Sequence, residues 1–252
     1  MDSLRISAVS YLNTFPFVYG LRESGILDDF HLRLEVPSKC AESLKSGEAD
    51  IALIPAGALP GIGEYHFAAD FCIGAVGSVK TVLLLSSVPM DQIRKIFLDL
   101  DSRTSVELVR VLAGHHWKIN PGWEHLRQEI GISGNMEAVV AIGDKTFRLR
   151  QQYPFVWDLA DHWITFTGLP MVFAVWVSRK PLPAEVRDRL NKALAWGIAH
   201  RKESVEYFLD RLPCPAPECL SYLEHNISYE LDEKKREGLK LFLEYLGTRK
   251  NP

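Results

Sequence analysis

The first 55 residues restrict what this chain can fold into more than any other stretch. Leu4, Ile6, Ala8 and Val9 read as a buried strand. Pro16 then suits the first turn of a helix, where its missing N–H costs nothing, and Phe17, Val18 and Leu21 carry that helix towards Gly25. Leu32, Leu34 and Val36 alternate as a second strand. Ser38 is placed to cap a helix holding Cys40, Ala41 and Leu44, which Gly47 ends. Asp50 to Pro55 is a short apolar strand closed by proline. Strands that alternate with helices in this way predict an α/β chain built on a parallel sheet.

A second α/β rhythm follows. Val79 to Leu85 is the strongest strand signal in the chain, after a strand-like Phe67 to Ile73. Next come a strand over 96–99, a helix over 104–113 and a strand from Ala138 to Ile142. A short helix over Asp158 to Trp163 ends near Thr167-Gly168-Leu169-Pro170, and Met171 to Val177 is a last buried strand. Everything after it reads as helical. Val186, Leu190, Ala193, Leu194 and Ile198 share one stripe, and Leu239, Phe242, Leu243 and Leu246 fall at i, i+3, i+4, i+7. A strand that returns before a helical tail suggests that the chain leaves one lobe and comes back. The expected division is lobe I over 1–87 plus 171–252 and lobe II over 88–170, with a ligand cleft between them.

Two turns carry the candidate chemistry. Ile96, Phe97 and Leu98 give way to Ser102-Arg103-Thr104-Ser105, after which Val106, Val109 and Ala113 return at helical spacing. A helix start leaves its first backbone N–H groups unpaired. Small hydroxyl residues there either cap those groups or leave them to hold an anion. Ser10-Tyr11-Leu12-Asn13-Thr14 is a second turn of the same kind. Two such turns suggest one anion-binding cleft between two α/β units.

Composition narrows the partners. The chain has 252 residues, 47% of them hydrophobic, and a net charge of −3 with no basic run, which argues against nucleic acid and anionic membranes. No apolar run approaches the 18 or so residues of a membrane span, and the N-terminus lacks a signal pattern. The expected location is therefore cytoplasmic. Cys40 and Cys72 are isolated, and Cys214 and Cys219 match neither a redox pair nor a common zinc pattern. His115 and His116 adjoin and point to different sides, so no metal is expected.

Five landmarks in order carry a family resemblance. They are Ala8 to Thr14, Gly47 to Pro55, Asp99 with Ser102 to Ser105, Ile142-Gly143-Asp144, and Thr167 to Trp176. Together they resemble the MqnA/MqnD family of the futalosine route to menaquinone, on its chorismate dehydratase (MqnA) side. The likeness is good over residues 4 to about 180 and weak in the helical tail. The sister enzyme MqnD usually carries a Cys-Pro-Asn-Asp-like turn where this chain has Tyr11-Leu12-Asn13-Thr14. Two positions depart from the family pattern. Thr81 stands where serine is usual, and Lys145-Thr146 follows Asp144 in place of Ala-Ala, a change expected on the solvent side of a helix.

The resemblance implies a two-lobed, type 2 periplasmic-binding-protein-like α/β fold and conversion of chorismate to 3-[(1-carboxyvinyl)oxy]benzoate and water. The implied partner is this small dicarboxylate, with no cofactor; a homodimer stays open. Asn13 and Thr81 are the expected catalytic residues, and Ser10, Ser78, Ser102, Arg103, Thr104, Ser105 and Asp144 the substrate-binding ones. Asp144 follows a glycine at a strand end and serves either as a helix cap or as a substrate contact. No motif supplies a general base. Asp99 and Asp101 read as loop carboxylates, and the substrate's own enolpyruvyl carboxylate is an alternative base. Two other functions stay open: the sister reaction on a futalosine-derived substrate, and a non-catalytic small-anion binder of the same fold.

Overall fold

A computed structural model describes residues 3–27, 29–99, 102–126 and 136–248. Asp101 lies outside them. The chain opens with strands β1 (Leu4–Val9), β2 (Phe30–Glu35), β3 (Ile51–Pro55) and β4 (His66–Ala75). Strands β5 (Val82–Ser86), β6 (Lys95–Leu98), β7 (Gly122–His125), β8 (Ala138–Ile142) and β9 (Phe155–Asp158) follow. The last two are β10 (Met171–Ser178) and β11 (Ser228–Glu230). They form two mixed sheets, one ordered β11-β4-β10-β3-β1-β2 and the other β7-β6-β8-β5-β9.

The predicted rhythm accounts for the start of the first sheet. Strand β1 pairs in parallel with both β2 and β3, joined by helices α1 (Phe15–Glu23) and α2 (Pro37–Ser46). Ser38 is not the cap of α2. Val36 takes that position and Pro37 opens the helix, where a residue with no N–H and a fixed φ fits best. All eight residues of β10 are buried, because β3 and β4 flank it antiparallel and helices cover the sheet.

The crossings differ from those expected. Val82–Ser86 pairs with β8 and β9, so it belongs to the second sheet. The chain therefore leaves the first sheet between Ala75 and Val82 rather than near residue 87. It returns through helix α5 (Leu159–Thr167) into β10. A buried apolar strand is equally at home in either sheet, and its partners, not its own residues, decide which. Asp158 ties the two crossings together. Its carboxylate accepts the Ser78 hydroxyl and the Lys80 amide, each at 2.7 Å, and caps α5 through the Ala160 and Asp161 amides.

The second sheet holds α3 (Arg103–Val111), which widens into a π turn over Leu112–Trp117, and the four-residue α4 (Thr146–Leu149). The tail is not wholly helical. Helices α6 (Ala184–Ala199), α7 (Arg201–Tyr207) and α8 (Ala216–His225) lead to β11, which joins the edge of β4 before α9 (Glu233–Thr248). Helices α1 and α6 cross at Gly20 and Gly197, where a Cβ on Gly197 would lie 1.9 Å from the Pro16 carbonyl oxygen. Among the described residues the four cysteines are free thiols, and no helix is long and apolar enough to cross a membrane.

Candidate functional site

The two hydroxyl-bearing turns meet at one cavity of about 70 Å3 between the sheets. From the first sheet it is lined by Val9, Tyr11, Asn13, Thr14, Pro37, Leu53, Pro55, Ile73, Phe173 and Ala174. Val79, Thr81 and Val82 enter from the first crossing, and Ser102, Thr104, Ser105, Ile142 and Gly143 from the second half. Among the described residues that line it, none is ionised at neutral pH. The polar surface is hydroxyl, amide and backbone.

Five of the nine candidate residues line this cavity: Asn13, Thr81, Ser102, Thr104 and Ser105. The other four do not. Ser10 is half-buried beside β1, and Ser78 is turned to Asp158. Arg103 is exposed. Asp144 sits behind the wall, accepting the Leu12 amide at 3.1 and 3.3 Å on its two oxygens. It thereby links the end of β8 to the turn that carries Asn13. Burial pushes its carboxyl up to about 6, against the opposing pull of that amide and of Arg211.

The hydroxyls at the start of α3 do different work. Ser102 caps the helix: its Oγ accepts the Ser105 amide at 3.2 Å and donates to Ser105 Oγ at 2.8 Å. Thr104 Oγ1 donates to the Phe173 carbonyl and accepts the Gly57 amide, both at 3.0 Å. It is a strut between the two halves, and a Cβ on Gly57 would come within 2.8 Å of Thr104 Cα. Ser105 is left with its own proton, beside the positive end of α3.

Asn13 sits in the one-turn 3-10 segment Leu12–Thr14 that leads into α1. Thr14 Oγ1 fixes this turn on the Val9 and Tyr11 carbonyls, at 2.6 and 2.7 Å. Tyr229 of β11 donates to the Asn13 carbonyl at 3.0 Å. The Thr81 carbonyl accepts the Gly143 amide at 2.9 Å. Gly143 itself needs its glycine: φ is +65°, and a Cβ there would stand 3.3 Å from the Tyr11 ring. Behind both candidate catalytic residues lies Tyr222 of α8. Its hydroxyl is 2.8 Å from Thr81 Oγ1. Sequence reasoning missed Tyr222, because a tyrosine on an apolar helix stripe carries no local mark of a distant polar partner.

Asp99, read as a loop carboxylate, is a buried ion-pair partner of Lys145. Lys145 is exposed, as expected of a solvent-side change, with its amine reaching back to Asp99, whereas Thr146 is fully buried with its hydroxyl on the Gly143 carbonyl, which corrects that expectation there. A lysine in place of alanine neutralises a carboxylate left at the buried end of β6.

Comparisons with known proteins bear on the fold and the family. The chain is 28% identical to the chorismate dehydratase of Thermus thermophilus, over 94% of this chain and 93% of that one. In fold it is similar to a protein of Archaeoglobus fulgidus, with a TM-score of 0.75 at 16% identity over 97% and 96% of the two chains. It is likewise similar to the periplasmic aliphatic sulphonate binding protein SsuA of Escherichia coli, with a TM-score of 0.62 at 16% identity over 99% and 94%. These two likenesses establish the two-sheet binding-protein architecture. Residues 4–248 match the menaquinone biosynthesis family, so nearly the whole chain lies within one family signature, and the protein belongs to that family.

Proposed function

We propose that the protein is a chorismate dehydratase, a hydro-lyase that forms 3-[(1-carboxyvinyl)oxy]benzoate and water, acting in the cytoplasm. The observation that carries this is the cavity: two helix-opening turns and uncharged donors, with no ionised side chain among its described lining residues, in a chain matched end to end by a chorismate dehydratase. Helix starts attract carboxylates through oriented amides and the dipole, contributing up to about 2 kcal/mol each when partly buried. One substrate carboxylate is assigned to the first turn of α3 and the Ser105 hydroxyl. Asn13 and Thr81 face the ring from the other side.

The reaction removes a ring hydroxyl and one ring hydrogen, and the ring becomes aromatic. With no carboxylate or imidazole among the described lining residues, the enolpyruvyl carboxylate of the substrate is assigned as the base. The protein's task is then to hold it against that hydrogen. Asn13 and Thr81 stabilise the charge that develops around the departing hydroxyl. Incubation with chorismate followed by product mass analysis tests this: diene absorbance should fall as an aromatic product and water form. Unchanged chorismate would leave a small-anion binder, and turnover of a futalosine-derived substrate instead would assign the sister reaction. Asn13→Leu should lower kcat by about 10²–10³ in a folded protein, the usual loss for one preorganised donor.

A further inference from the structure

We propose that Cys214 and Cys219 are a redox site, a dithiol that closes to an intramolecular disulfide when the protein meets a small-molecule disulfide. The inference is independent of the dehydratase reading above. The spacing of the two cysteines matches no redox motif, yet the fold brings their sulfurs to 2.7 Å, against about 2.05 Å in a formed disulfide. Pro215 is the cap of α8, so Cys214 stands just before the helix and Cys219 on its first turn. Side chains on a helix lean towards its N-terminus, and Cys219 Sγ accordingly turns back to donate to the Cys214 carbonyl at 3.2 Å. Pro213, Pro215 and Pro217 flank and separate the pair. Their fixed φ angles leave the backbone few other paths, so the native chain holds the two sulfurs together.

Exposure sets the order of events. Cys214 is half-buried and Cys219 wholly buried, so an oxidant reaches Cys214 first. Its thiolate attacks one sulfur of the small disulfide, forming a mixed disulfide and releasing one small thiol. Cys219 Sγ, as thiolate, then attacks Cys214 Sγ, the protein disulfide forms and the second small thiol leaves. Two protein thiols are oxidised, and the small disulfide takes up their two electrons and two protons as two thiols. Burial, then the partner thiol and the carboxylates of Glu218 and Asp144, push the Cys214 thiol up, so exchange at neutral pH is slow. In a reducing compartment the pair stays a dithiol, and the disulfide answers an oxidising one. Cys40 and Cys72, wholly buried in α2 and β4, are out of the oxidant's reach. The bond would fix the start of a helix that grips the second half and the first crossing. Glu218, inside the ring so closed, accepts Arg150 at 2.9 Å, Tyr222 bonds Thr81 at 2.8 Å, and Asn226 donates to the Ser78 carbonyl at 2.8 Å.

The test brings the full chain to equilibrium in mixtures of reduced and oxidised glutathione, once native and once unfolded in urea. Free thiols are then alkylated under denaturing conditions and counted by mass. Reduced protein should take four alkyl groups. Oxidised native protein should take two, on Cys40 and Cys72, with Cys214 and Cys219 joined in one peptide that lacks their two thiol hydrogens. The ratio of reduced to oxidised glutathione at half-oxidation should be at least about 10-fold higher for the native chain than for the unfolded one, because the fold holds the sulfurs together. Cys214→Ser should keep three thiols open to alkylation in every mixture. Four alkyl groups at the most oxidising ratio, a glutathione adduct that persists on Cys214, or equal midpoints for native and unfolded chains would overturn the proposal. So would the loss of two thiols in Cys214→Ser, since the disulfide would then lie elsewhere. Should Cys214→Ser not fold, the wild-type midpoints and the peptide map decide.

Discussion

A hydroxyl in this cavity is available to a ligand only to the extent that its other bonds leave it free. Ser105 and Thr104 are neighbours on one helical turn, yet their protons have opposite fates. Ser105→Ala should weaken binding of a benzoate-type analogue by about 10–100-fold, the value of a charge-assisted bond, with a smaller fall in melting temperature than Thr104→Val, since only the Ser102 hydroxyl loses its acceptor. Thr104→Val should do the reverse. It leaves the Gly57 amide and the Phe173 carbonyl without their partner, at a cost of about 1–3 kcal/mol for each group left buried and unpaired. Calorimetry on both variants separates the roles. Asp144 gives a pH signature. Its folded pKa, about 6, lies above the ordinary carboxylate value of 3.8, so its contribution to stability is full below that value and is lost as pH rises through 6. Asp144→Asn should therefore be more stable than wild type at pH 7, by an amount on the order of 1–3 kcal/mol, and melt at a higher temperature. The difference should vanish near pH 4. Which of these side chains face the cavity was only partly legible in the sequence. The turns at 10–14 and 102–105 announce themselves by composition. The direction of Ser78 depends on Asp158, 80 residues away, and no local pattern carries that.

At the scale of elements, periodicity identified the long helices and buried strands, because burial on one face writes itself into spacing. It missed β7, β9 and β11, of three or four residues, which are too short to show alternation. It also assigned Val82–Ser86 to the wrong sheet for want of its pairing partners. The crossing of α1 and α6 is a feature where sequence and packing agree. Gly20 and Gly197 let the two backbones touch, since a Cβ on Gly20 would stand 2.1 Å from the Ala193 carbonyl oxygen. Gly197→Ala should force the helices apart and lower stability by about 1–3 kcal/mol or more, as overpacking does. A reduced urea midpoint with an unchanged slope is the expected result. No shift would mean that the helices slide past the methyl group.

For the whole molecule, the strut at Thr104 and the Asp144–Leu12 contact join two sheets whose backbones are connected only through 76–81 and 159–170. Two crossings tied at one carboxylate have the form of a hinge, and if they act as one, ligand should draw the halves together. Small-angle scattering checks this: Thr104→Val without ligand should have a larger radius of gyration than wild type, and saturating analogue should bring the two to one value. Equal radii throughout would mean that the halves do not part.

The place of β10 between β3 and β4 has a bearing on biosynthesis. When the ribosome has released the residues of β3 and β4, these strands cannot yet share a sheet, because the strand that separates them is about 100 residues from being made. An apolar gap one strand wide must wait for Met171–Ser178, with β3 and β4 as exposed edges and any chance strand as an intruder. Such long-range closure is slow. The nascent chain would therefore be expected to depend on a holding chaperone until β10 emerges, whereas the parallel β1-β2-β3 unit is free to form at once.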